Sequence, residues 1–92
     1  SNKLTSSGHN LFVPDIPTLN ATVGKIFYHK VNATGLGLGF YDYTELFDIN
    51  KHEGVIQFTP TEKMLGTHRI WIRVKDAIGN EQYKTITLNI IK

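Results

Sequence analysis

The chain has no cysteine, one tryptophan, one methionine and three prolines in 92 residues. Without cysteine there is no disulfide, no thiol nucleophile and no thiolate-ligated zinc. This absence assigns no compartment, since exposed β-modules can fold without disulfides. Serine is confined to Ser1, Ser6 and Ser7, so no serine stands in a nucleophile-elbow context. Long apolar runs are missing: the longest, residues 86–91, is broken by Thr87 and Asn89. It falls far short of the roughly 18 residues that span a bilayer as a helix, so this segment inserts in no membrane. No stretch of eleven residues keeps a helical period.

A basic run is missing as well. Ten Lys and Arg stand against eight Asp and Glu, a net charge of +2. The densest group is Lys25, His29 and Lys30. Basicity this diffuse reads as a solvated surface and not as a nucleic-acid site. The glycines of GLGLG at 35–39 lack the Lys-Ser/Thr and following helix of a phosphate loop, so no cofactor is implied. No pair of carboxylates sits in a context that suggests glycoside hydrolysis, and the chain is read as non-enzymatic.

What is present is a β pattern. Hydrophobic residues make up 40% of the chain and charged residues 20%, which fits one small globular domain. A chain this short buries roughly 60–65% of its unfolded surface. Residues 1–10 are polar and read as an arm or linker, with Ser1-Asn2 a candidate cloning remnant. The domain proper is residues 11–92. Pro14 and Pro17 confine LFVPDIPTL to an edge or broken strand, as in a first strand that switches between sheets. Residues 25–34 alternate, with Phe27, His29, Val31 and Ala33 on the inner face. A strand follows around 38–43, then LFDIN and a turn at 50–54, then GVIQFTP with Ile56 and Phe58 sharing a face.

The clearest strand is residues 67–76. His68, Ile70, Ile72, Val74 and Asp76 face inward; Thr67, Arg69, Trp71, Arg73 and Lys75 face outward. A turn at 77–80 needs Gly79 in a positive-φ conformation. The last strand places Ile86, Leu88 and Ile90 inside and Thr85, Thr87 and Asn89 outside. About seven short strands predict an all-β, Greek-key sandwich of Ig-like or cadherin-like type. Its core is Phe27, Val31, Phe40, Ile49, Ile56, Phe58, Ile70, Ile72, Val74, Ile86, Leu88 and Ile90.

Several segments in this order resemble a known group. They are Val23-Gly24-Lys25, the strand ending Asn32-Ala33-Thr34, Leu46-Phe47-Asp48-Ile49, Gly54-Val55-Ile56 with Phe58-Thr59-Pro60-Thr61, and Gly66 through Asp76 to Gly79-Asn80. The pattern is similar to the cadherin-like and Ig modules found as tandem repeats in surface and secreted proteins of bacteria and archaea. The dystroglycan-type cadherin-like domains are relatives. The resemblance implies a cell-surface or extracellular module that spaces, stiffens or presents other domains, and serves adhesion. Its partners would be neighbouring domains of the same polypeptide. Many calcium-binding members carry an acidic cluster where this chain has Ala33-Thr34-Gly35-Leu36-Gly37, and the acidic linker is absent too. Calcium takes six to eight oxygen ligands, so no calcium-stiffened junction is implied here. Asp76 and Asp48 are read as turn-formers whose carboxylates accept backbone N–H groups.

The chemistry-bearing candidates are few. Of four histidines, His9 lies in the arm and His52 in a turn, while His29 and His68 fall on inner faces where they could approach each other. His29 and His68 are read as buried neutral imidazoles with one hydrogen bond each, in preference to metal ligands, and no metal site is assigned. Trp71 and Tyr41 are the candidate binding surface, for a glycan or a surface protein. The alternative is that Trp71 covers the stems of Arg69, Arg73 or Lys75, or packs on an adjacent repeat. Asn20-Ala21-Thr22 and Asn32-Ala33-Thr34 are candidate glycosylation sequons. The competing function is a carbohydrate- or protein-binding accessory module attached to an extracellular enzyme. A third option is a domain that only packs on a catalytic neighbour.

Overall fold

Residues 11–92 are described by a computed structural model. The six strands are β1 (Leu19–Thr22), β2 (Phe27–Lys30), β3 (Gly39–Asp42), β4 (Val55–Phe58), β5 (Gly66–Lys75) and β6 (Glu81–Ile91), with a single 3-10 turn at Glu62–Met64. They form two sheets, ordered β1-β6-β5-β3 and β2-β4. All pairings are antiparallel except β1 with β6. The β1–β2, β2–β3, β3–β4 and β4–β5 connections each cross from one sheet to the other, and only β5–β6 is a hairpin. The result is an all-β sandwich. Residues 1–10, with the arm and His9, lie outside the described part.

The first strand does switch sheets, and proline is the reason. Phe12 exchanges backbone hydrogen bonds with Thr34 beyond the end of β2. Pro14 and Pro17 then remove two donors, and regular pairing resumes only past them, where Leu19–Thr22 joins β6. The Gln82 side chain clasps the early segment: its Oε1 accepts from Val13 N–H and its Nε2 donates to the Leu11 carbonyl, both at 3.2 Å. Leu11 and Val13 are buried under this clasp and join the core.

Between the sheets lie the aliphatic rows of β5 and β6. Ile70, Ile72, Val74, Ile86, Leu88 and Ile90 are all buried, beside Val31, Phe40, Ile49 and Ile56. Phe27 and Phe58 sit half-buried against them, their rings edge-to-face at 5.8 Å. Every residue expected in the core is therefore in it or against it. Leu11, Val13, Ala21 and Phe47 are additions.

The described residues form six strands where about seven are expected. Residues 43–50, which include LFDIN, form no ladder although Phe47 and Ile49 are buried. Side chains take the donors instead: Asp42 accepts from Thr44 and Ile49 N–H, and Thr44 Oγ1 accepts from Leu46 N–H. This also corrects the turn-former reading of Asp48. Asp48 is exposed, and Asp42 organises the segment.

Asp76 does what its position predicted. It is 3% exposed, and its Oδ1 accepts from Ile78 and Asn80 N–H while Oδ2 accepts from the Asn80 side chain. Burial opposes its charge, but the bonds from Asn80, Ile78 and Gly79 outweigh it and hold the carboxyl below its ordinary range. Gly79 carries the positive φ of that turn, +98°.

Candidate functional site

Along β5, side chains alternate between the core and solvent, so Arg69, Trp71, Arg73 and Lys75 stand in a row on the outer face of the four-stranded sheet. Register decides what stands beside them. Arg73 is flanked by Tyr41 on β3 and Tyr83 on β6, and Trp71 faces Thr85 on β6. Tyr43, one residue past β3, donates its backbone N–H to the Trp71 carbonyl at 3.1 Å, which continues the register and sets Tyr43 opposite Trp71.

These residues form one cluster. Strands β3 and β6 flank β5, so their backbones are about 10 Å apart. The rings of Tyr43 and Tyr83 nonetheless stack, with centroids 6.3 Å apart and planes 23° from parallel. They meet over β5, on the side of Arg73. The Arg73 guanidinium carbon lies 4.7 Å from the Tyr41 ring centroid, and its Nη1 is 3.5 Å from Glu81 Oε1. The Arg73 Nε is buried without a hydrogen-bond partner. Burial lowers the guanidinium pKa, but Tyr43, Tyr83 and Glu81 more than reverse this, so Arg73 stays cationic. Burial also pushes the Tyr43 phenol up, against the pull of Arg73.

Trp71, Tyr43 and Tyr83 remain open to solvent, at 54%, 54% and 50% exposure. Toward the other end of the face the chemistry becomes hydroxyl and amide. Thr67 donates to Asn89 at 2.7 Å, and Asn89 donates to Asn20 at 3.2 Å. The outward positions thus carry aromatic, cationic and small polar groups, with Glu81 an acidic exception at one end and Ile91 an aliphatic one at the other.

Trp71 and Tyr41 both lie on this face, as read from alternation. The structure refines their roles. Tyr41 is half-buried beneath Arg73, so it supports the surface more than it offers one. Arg73 sits on Tyr41 and not on Trp71. Sequence reasoning missed Tyr43 and Tyr83. Extending the inside-outside alternation of β6 back to residue 83 would have found the second; the first needed the β3–β5 register.

The histidines do not assemble. His29 is on β2 and half-buried, and burial alone holds its pKa below the ordinary value. His68 is on β5, in the other sheet, with Nε2 donating to the Met64 carbonyl at 2.6 Å. His52 is exposed. Among the described residues no group of three or more His, Asp or Glu side chains could hold a metal ion. The sequon residues Asn20 and Asn32 are both exposed. No helix among the described residues is long and apolar enough to cross a membrane.

The solved structures that share this fold include the following three. The first is a Bacteroides fragilis protein assigned as an alpha-galactosidase, with a TM-score of 0.77 and 13% identity; the match covers 89% of this chain and 18% of that one. The second, from the same organism, is assigned as an alpha-galactosidase/melibiase, with a TM-score of 0.74 and 14% identity over 97% of this chain and 20% of that one. The third is an endo-fucoidan hydrolase of glycoside hydrolase family 107, with a TM-score of 0.67 and 14% identity over 84% of this chain and 13% of that one. This chain spans a fifth or less of each. No family model and no curated protein matches it.

Proposed function

We propose that the chain is a non-catalytic module, of Ig-like or cadherin-like descent, within a larger extracellular protein that acts on polysaccharide. One observation carries this reading. The match takes in 84–97% of this chain, yet only 13–20% of the glycosidase chains that share its fold. In such a protein the catalytic machinery would stand in another domain, and this one would position it or its substrate.

The layout of the described residues supports a linking role and keeps the spacer reading beside the accessory one. Gln82, at the start of β6, holds Leu11, whereas Lys92 follows the end of β6. Ten extended residues separate these points, roughly 33 Å. Leu11 and Lys92 therefore lie at opposite poles of the sandwich. The N-terminal pole exposes Phe12, Leu36 and Ile78, brought together by the Phe12–Thr34 pairing and the Ala77 N–H bond to the Leu36 carbonyl. Such apolar side chains fit a neighbouring domain of the same polypeptide.

The test has two parts. The isolated chain is assayed on chromogenic aryl glycosides; no turnover is expected, and turnover lost on substituting a single carboxylate overturns the non-catalytic reading. The reading frame that encodes the chain is then sequenced outward. A glycosidase domain in the same frame supports the accessory role, and tandem copies of this sandwich without one support the spacer.

A further inference from the structure

We infer that the outer face of the β1-β6-β5-β3 sheet binds an anionic polysaccharide, with Trp71, Tyr43 and Tyr83 as stacking surfaces and Arg69 and Arg73 as anion contacts. This deepens the module reading above by giving the module a ligand class.

The charge on the face selects the class. Arg69, Arg73 and Lys75 occupy three outward positions of one strand, against one carboxylate, Glu81, on the adjoining strand. Glu81 is engaged with Arg73, and Arg69 has no ion-pair partner among the described residues. The chain as a whole is only +2, so this face carries more than its share of positive charge. A guanidinium presents a planar set of donors suited to a carboxylate or sulfate, and its charge does not titrate. Arg73 is further held over Tyr41 and beside Glu81, which fixes its position before any ligand arrives.

Trp, Tyr and Arg anchor protein interfaces as well, so it is the setting of the rings, beside small polar groups, that favours a carbohydrate. Here the exposed apolar area near Arg73 belongs to ring systems, with Thr85 and Thr87 along the same face and Thr67, Asn89 and Asn20 at its other end. Flat rings beside hydroxyl and amide groups match a pyranose, which has an apolar face and a polar rim. The rings and cations extend along the strand: Arg69 and Arg73 are about 13 Å apart. That span exceeds a single sugar, so the ligand is a chain.

The 92-residue chain is titrated by affinity electrophoresis and calorimetry with polygalacturonate (carboxylated), carrageenan (sulfated), and neutral dextran and galactomannan. Retention by one or both anionic polymers, weakening as salt rises, is expected. Trp71→Ala, Arg73→Gln and Arg69→Gln should each lower affinity by about tenfold or more. Tyr28→Ala, on the exposed face of the β2-β4 sheet, should not. Arg69 makes no ion pair among the described residues, so its variant tests binding even if Arg73→Gln disturbs folding, and a thermal melt of each variant separates the two effects. The comparison of carboxylated with sulfated polymer identifies which anion is preferred. Equal binding of neutral polymers overturns the charge assignment. Equal retention by duplex DNA, no binding at all, or loss in Tyr28→Ala alone overturns the site. Absence of binding alongside a glycosidase domain in the same reading frame would leave the module reading intact, so the two fail separately.

Discussion

The guanidinium carbon of Arg73 lies 4.7 Å from the ring centroid of Tyr41, its directly opposed neighbour on β3. The pair fixes a cation at the centre of a sheet face while leaving three other aromatic rings exposed. Its energetic signature is a favourable coupling. In a double-mutant cycle of Tyr41→Leu and Arg73→Gln, monitored by urea unfolding, the two losses should sum to more than the loss in the double variant. Strict additivity would mean that the contact contributes nothing.

Gly54 cannot accept a side chain without strain and displacement of the core. Its φ is +72°, and a β-carbon there would stand 2.8 Å from Phe40 Cε2 in the core. Gly54→Ala should therefore cost about 2–4 kcal/mol, combining left-handed strain with overpacking. Gly79→Ala also has positive φ but meets nothing within 4 Å, so backbone strain alone, about 1–2 kcal/mol, is expected. Chemical denaturation of both variants isolates the packing contribution; equal losses would remove it.

Gln82 tests how the first segment is held. Gln82→Leu leaves the Val13 N–H and the Leu11 carbonyl without their partner. A loss of about 1–3 kcal/mol is expected, with faster hydrogen exchange at Val13. Unchanged exchange would show that burial alone seats this segment.

Acid should weaken the fold in two stages. Burial holds the His29 pKa below its ordinary 6.5. The unfolded chain then binds the extra proton first, so stability present above about pH 6.5 declines as pH falls toward the folded value. The bonds from Asn80, Ile78 and Gly79 hold Asp76 below its ordinary 3.8 despite its burial. That contribution is present above about pH 4 and is lost as pH falls through the lower folded value. Melting temperatures should fall in both windows. His29→Gln should flatten the first and Asp76→Asn the second; a variant that leaves its own window unchanged refutes that assignment.

The strand pattern was legible because the sheet faces differ in solvent. Residues 67–76 and 85–90 alternate strictly, and each buried position followed from that alternation. The turn roles of Asp76 and Gly79 were legible because they depend on neighbours a few residues away. The role of LFDIN was not legible, because Phe47 and Ile49 are buried without a ladder and the Leu46 and Ile49 N–H groups bond to Thr44 and Asp42. A side chain competing for a backbone donor leaves no mark on periodicity.

The sequence by itself determined the all-β class, the inner and outer rows of β5 and β6, the sheet switch forced by Pro14 and Pro17, and the outward placement of Trp71 and Tyr41. These are local properties, set by alternation and by backbone donors present or missing. Only the tertiary structure decided that Tyr41 and Tyr83 flank Arg73 and that the Tyr43 and Tyr83 rings stack over β5. Those contacts join residues 10 to 40 positions apart, and they depend on register between strands, which a one-residue slip would reverse.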